Sequence, residues 1–146
     1  MLDLLTGIQE LLVTKEVGVL PPITDPNAYG IFVGKAPATP SGSISVRRTT
    51  GLDSNPKYLL DYPSIQIMVR GRPNEYETAS IKAQLIKDTL LGLPSQTIKD
   101  IRWVLINMIG DINDLGTDDN DCPLMSLNFQ FIIEPPESVD SNRIPL

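Results

Sequence analysis

Leu124-Met125-Ser126-Leu127-Asn128-Phe129-Gln130-Phe131-Ile132-Ile133 alternates almost strictly, with Met125, Leu127, Phe129, Phe131 and Ile133 all on one side. Successive side chains of a strand point to opposite faces, so this row predicts a strand with one face in a core. Ser126, Asn128 and Gln130 fall on the other face. Immediately upstream, residues 110–121 are polar and read as a loop. Residues 101–109 are apolar on both faces, include the only tryptophan, Trp103, and predict a central strand. Residues 64–70 predict a further strand, with Ile65, Ile67 and Val69 opposite Gln66, Met68 and Arg70.

Between these strands the period changes from two to that of a helix. Gly71-Arg72-Pro73-Asn74 breaks the strand, and Asn74 with Glu77 three residues later has the form of a capping box. The helix is expected to reach about Leu91, with Ala79, Ala83, Ile86, Leu90 and Leu93 on one stripe, and Gly92 and Pro94 end it. Ile81 and Leu85 form a second stripe, which predicts cover on two sides. At the beginning of the chain, Leu2, Leu4, Leu5, Ile8, Leu11 and Leu12 recur at helical spacing and predict a helix over residues 2–15. Gly18 and Pro21-Pro22 close that segment. Residues 29–35 and 43–50 read as two strands of a hairpin joined by a wide loop containing Pro37, Pro40, Ser41 and Gly42. Residues 134–146 hold Pro135, Pro136 and Pro145 and little to pack. The expected organisation is one α+β domain over 1–134, a mostly antiparallel sheet of about five strands flanked by two helices, and an extended C-terminal arm over 135–146 that orders against a partner.

A chain of 146 residues is long enough to bury a core, and its apolar runs are too short to span a bilayer. The Met-Leu-Asp-Leu-Leu start has no basic segment and does not read as a signal peptide, so cytoplasmic synthesis is expected. With no histidine and one cysteine, Cys122, the chain has no Ser-His-Asp or Cys-His pair, no His-ligated metal and no internal disulfide. The expectation is therefore a protein that is not an enzyme and needs no cofactor. A net charge of -6 with 12 basic residues argues against a grip on phosphate backbones.

The oxygen-rich stretch 111–121 invites comparison with a calcium loop, because calcium takes six to eight hard ligands. Asp111, Asn113 and Gly116 match the first, third and sixth EF-hand positions, but Leu115 and Cys122 occupy the fifth and twelfth. Turn chemistry explains the same Asp, Asn and Gly residues. Asp118 and Asp119, adjacent on a solvated loop, have nothing to separate their pKa values for acid–base work. Gly71-Arg72-Pro73 lacks the glycines of a phosphate loop, and Cys122 lacks a base to activate it. Arg47, Arg48, Arg70 and Arg72 lie on or near strands that can neighbour one another, and arginine suits subunit interfaces. Asp118 and Asp119 supply the complementary charge if copies pack side by side.

The runs Tyr62-Pro63-Ser64-Ile65-Gln66-Ile67-Met68-Val69-Arg70-Gly71 and Glu75-Tyr76-Glu77-Thr78-Ala79 resemble the tail terminator, or minor capsid, proteins of long-tailed bacteriophages. The resemblance continues in Asn107-Met108-Ile109-Gly110-Asp111-Ile112, Leu115-Gly116 and Cys122-Pro123-Leu124-Met125-Ser126-Leu127-Asn128-Phe129, covering most of residues 62–134. These are strand, turn and helix-start sequences without a catalytic signature. The resemblance implies a virion structural protein of the tail or neck, assembled in the host cytoplasm. It implies a homo-oligomeric ring, usually a hexamer, at the head-proximal end of the tail tube. Its partners would be the tail tube protein and the head-tail connector or stopper protein, with no membrane, and DNA would pass through the lumen without specific binding. Two other readings stand beside it: a head-completion or stopper protein of the neck, and a calcium-dependent binding module built on loop 111–121.

Overall fold

The computed structural model describes residues 2–38, 42–138 and 141–145. Pro40 and Ser41 of the expected wide loop, and the side chain of Leu2, lie outside that description. Nine elements follow one another: α1 Leu2–Thr14, β1 Gly30–Val33, β2 Ser43–Leu52, β3 Tyr62–Arg70, α2 Tyr76–Leu90, β4 Gln96–Ile98, β5 Ile101–Met108, β6 Asn113–Thr117 and β7 Pro123–Glu134. The class is α+β and mostly antiparallel, as the sequence predicts, with a higher strand count than the expected five.

β7 organises the sheet, whose order is β1-β2-β3-β7-β5-β4. On one side it pairs with β3, Ser64 to Arg70 opposite Gln130 to Leu124. On the other, β5 takes its Phe129–Glu134 end and β6 its Pro123–Ser126 end, so β5 and β6 succeed one another along the same edge. Register shifts between Thr49 and Leu52 and between Trp103 and Leu105 mark bulges, which increase the local twist and curl the sheet.

The apolar row of β7 is fully withdrawn from solvent, along with Ile65, Ile67 and Val69 of β3 and Ile44 and Val46 of β2. Leu4, Ile8 and Leu12 of α1 and Ala79, Ala83, Ile86 and Leu90 of α2 complete this core. Burying each large side chain contributes about 1.5–3 kcal/mol before chain entropy is charged against it. Trp103 meets Phe131 edge to face, with ring centroids 5.4 Å apart.

Several local expectations are overturned. β1 and β2 are parallel, Gly30 opposite Ser43 and Val33 opposite Val46, and do not form a hairpin. The connection after β1 runs back over the sheet, and the Arg70 guanidinium donates to the Pro37 and Ala38 carbonyls that cross it. The expected wide hairpin loop is thus a crossing segment held by Arg70. The helix α2 begins at Tyr76 after Glu75, with no side-chain cap. Asn74 stands in the left-handed region, φ 62°, where it cannot serve as the expected cap, and the Glu75 carboxylate accepts from Arg72 Nε at 2.8 Å.

Residues 110–121 contain a strand, β6, where only a loop was expected. Ladder bonds to β7 hold it, although its side chains are exposed. β5 is next to the β4 edge, not central, and its second face carries the exposed Leu105. Ile81 and Leu85, the second stripe of α2, are 54% and 42% exposed and therefore uncovered within this chain. Among the described residues no helix is long and apolar enough to cross a membrane.

Candidate functional site

Both helices lie against one face of the sheet, which leaves the other face open. Pairing sets its rows: Ser43 beside Arg70 and Leu124, Ser45 beside Met68 and Ser126, Arg47 beside Gln66 and Asn128. The polar residues of β7 noted in the sequence therefore share rows with β2 and β3, Asn128 and Gln130 partly exposed and Ser126 buried. A cleft of about 380 Å³ opens here between the crossing segment and the strands, lined by Lys35, Ser43, Ser45, Arg47, Met68 and Arg70 among others. Arg47 donates from Nε to the Gln66 side chain at 2.9 Å. Three cations thus converge on one depression of a chain whose net charge is -6.

The arginines grouped by the sequence reading are divided by the structure. Arg47 and Arg70 share the cleft. Arg48 belongs to the opposite register and faces a separate small hollow with Asp61 and Tyr62. Arg72 is committed within the chain. It pairs with Glu75, donates to Asn27 Oδ1 at 2.9 Å, and lies 5.6 Å from the centre of the Tyr29 ring. Lys82 covers the same ring at 5.4 Å and donates to the Val17 carbonyl at 2.5 Å. Burial, with the nearby Arg72 charge, lowers the Lys82 pKa. This cluster ties the α1–β1 connection to α2.

Asp118 and Asp119 lie in the turn between β6 and β7. Asp118 Oδ1 accepts from the backbone N–H groups of Asn120, at 2.9 Å, and Cys122, at 3.0 Å. Those bonds, aided by the Arg70 charge, hold its carboxyl below the usual range. Asp114 and Asp111 are also engaged. Asp114 accepts from the Gly116 N–H and the Tyr76 hydroxyl, and Asp111 pairs with Lys87 at 2.9 Å. Asp111, Asp114 and Asp118 are therefore spent on turns, on β6 and on α2. Among the described residues no group of three or more Cys, Asp and Glu side chains converges as metal ligands. Cys122 is buried, its thiol pKa raised by burial and the Asp118 charge.

The basic cleft and the acidic stretch adjoin at Arg70, whose charge acts on Asp118. The cleft on the β1–β3 flank carries Lys35, Arg47 and Arg70. The β6–β7 flank carries Asp111, Asp114, Asp118, Asp119 and Asp121, with no Lys or Arg between them. Sequence reasoning found Arg47, Arg70 and the acidic turn. It missed Lys35, which only the parallel crossing of β1 brings over the sheet, and it missed the pairing of Asp61 with Arg143 at 2.7 Å, residues far apart in sequence.

The family model described as bacteriophage tail terminator protein matches residues 11–135. Among solved structures, a chain from the virion of a native gene transfer agent particle is similar, with a TM-score of 0.55, 17% identity, and 71% of this chain and 78% of that chain covered. At that identity the likeness is one of fold. None of the curated protein sequences compared with the chain matches it.

Proposed function

This chain belongs to the bacteriophage tail terminator protein family, and on that premise we propose that it closes into a ring, a hexamer, which caps the tail tube, ends its polymerisation and joins it to the head connector. It is a structural protein of the virion tail. The observation that carries the reading is the family match, which spans every strand of the sheet.

The geometry supplies a means of assembly. The basic cleft of one copy and the exposed part of the acidic turn of the next would make a head-to-tail contact, the heterologous kind that closes into a ring when the rotation per subunit allows. Arg47 and Arg70, with Lys35, would receive Asp118 and Asp119 of the next copy. Opposite charges facing one another steer encounter and fix register, while the like-charged arrangement is penalised. The same acidic balance suits a lumen through which DNA slides, since excess carboxylate repels phosphate. The protein then acts by shape and contact, without turnover.

Mass measurement of the purified chain, alone and with tail tube protein, tests the ring. A closed species several times the 16.1 kDa of one chain is expected. A protein that stays monomeric in both samples would overturn the reading.

A further inference from the structure

Residues 141–145 lie back along residues 57–61. The Leu59 N–H donates to the Ile144 carbonyl at 2.9 Å and the Ile144 N–H to the Lys57 carbonyl at 2.8 Å. These bonds make a parallel bridge between Tyr58 and Ile144. The receiving segment is itself fixed, since Asp61 and Ile133 exchange both backbone bonds at 2.9 and 3.0 Å. Arg143 supplies the side-chain selection. Its Nη1 lies 2.7 Å from Asp61 Oδ1 and 3.2 Å from the Asn55 carbonyl, and its Nη2 lies 3.4 Å from Asp61 Oδ2. Backbone bonds along an extended segment, with one charged side chain fixing the register, constitute strand addition to an exposed edge.

Two features make the occupant exchangeable. Ile144 remains 50% exposed, so a few polar bonds and little apolar burial hold the segment. Beyond the buried Pro135, residues 136–138 are exposed. Residues 136–140 at up to about 3.5 Å each can reach on the order of 17 Å. A neighbouring copy offers the identical receiving segment, and an exchange between identical copies remakes the same bonds.

We propose that residues 55–61 form a peptide-docking site which this chain's own segment 141–145 fills in the isolated subunit and the same segment of an adjacent copy fills in the assembled ring. The docking in trans rests on the ring reading; the docking site itself does not.

Two full-length variants test this: Asp61→Arg and Arg143→Asp. In either one alone the guanidinium–carboxylate pair is replaced by like charges, within a chain and between identical chains. In an equimolar mixture both pairings are restored, but only between chains. Hydrogen exchange at the Leu59 and Ile144 amides is the readout, with Trp103 fluorescence confirming the fold. Protection at both amides should fall at least tenfold in each single variant and return on mixing. Unchanged protection in the single variants overturns the docking site. Protection that stays lost in a mixture whose rings form normally overturns the exchange and leaves the ring standing. Protection restored in a mixture that forms no rings supports exchange and overturns the ring. Should Asp61→Arg fail to fold, a synthetic peptide of residues 137–146 should bind the Arg143→Asp chain saturably, and lose binding when it carries the same substitution. A peptide that does not bind overturns the inference.

Discussion

Replacing Phe131 with alanine removes a ring that is wholly buried on the core face of β7 and packs edge to face on Trp103 at 5.4 Å. Its ring partner Trp103 and its ladder partner Ile106 both lie on β5, which is held in the sheet. Phe→Ala at such a site costs about 3–5 kcal/mol. With a urea dependence of about 2 kcal/mol per molar, the unfolding midpoint should fall by roughly 1.5–2.5 M. Trp103, the only tryptophan, reports the transition by its fluorescence. The adjacent Gln130, which points to the open face, provides the control: Gln130→Ala should shift the midpoint by less than about 0.3 M, within the range of surface changes. Equal shifts for the two neighbours would refute the assignment of faces, and with it the register of the central strand.

Other outcomes follow from the same structure. Arg72→Glu replaces a side chain held by Glu75, Asn27 and Tyr29, and should cost about 1–3 kcal/mol in denaturant titration. Arg47→Glu, on the open cleft, should leave the unfolding midpoint in place while raising the concentration needed for ring formation about tenfold, or about 1.4 kcal/mol, by mass measurement. Gly71→Ala sets a Cβ 2.6 Å from Pro123 Cγ and 3.0 Å from the Ala79 Cβ, so it should lose about 1–3 kcal/mol by overpacking where α2 meets β7. Burial of Asp61 opposes its ionisation, but the Arg143 and Ser54 hydrogen bonds and the Arg143 and Arg48 charges prevail and lower its pKa below 3.8. Its contribution is therefore fully present above the unfolded value and is lost as pH falls through the folded one. Asp61→Asn should flatten the acid limb of the stability profile, measured by denaturant titration from pH 6 downward to about pH 3.

Period-two and helical patterning made most of this fold legible. The alternation from Met125 to Ile133 identified β7, and the stripe Ala79, Ala83, Ile86 and Leu90 identified the buried side of α2, because one face of each must be apolar. Features held by backbone bonds or distant partners left no such mark. β6 is exposed along its whole length and is a strand because β7 offers it an edge. The parallel pairing of β1 and β2 goes with a connection that crosses the sheet and meets Arg70, a distant partner their own sequences do not record. Asn74 had the chemistry of a cap, but a chain turning with φ 62° uses it otherwise. In the candidate site, Arg47, Arg70 and Asp118 were visible as charge types. That Arg72 is consumed internally, and that Arg48 faces away, required the register and the neighbours.

Imaging tail tubes assembled with and without this chain tests the central proposal most directly. With the protein present from the outset, tubes should stop short and carry a ring of extra density at one end only, and capped tubes should no longer lengthen when fresh tube protein is added. Tubes that keep growing, with bare ends and the chain left free in solution, would contradict it.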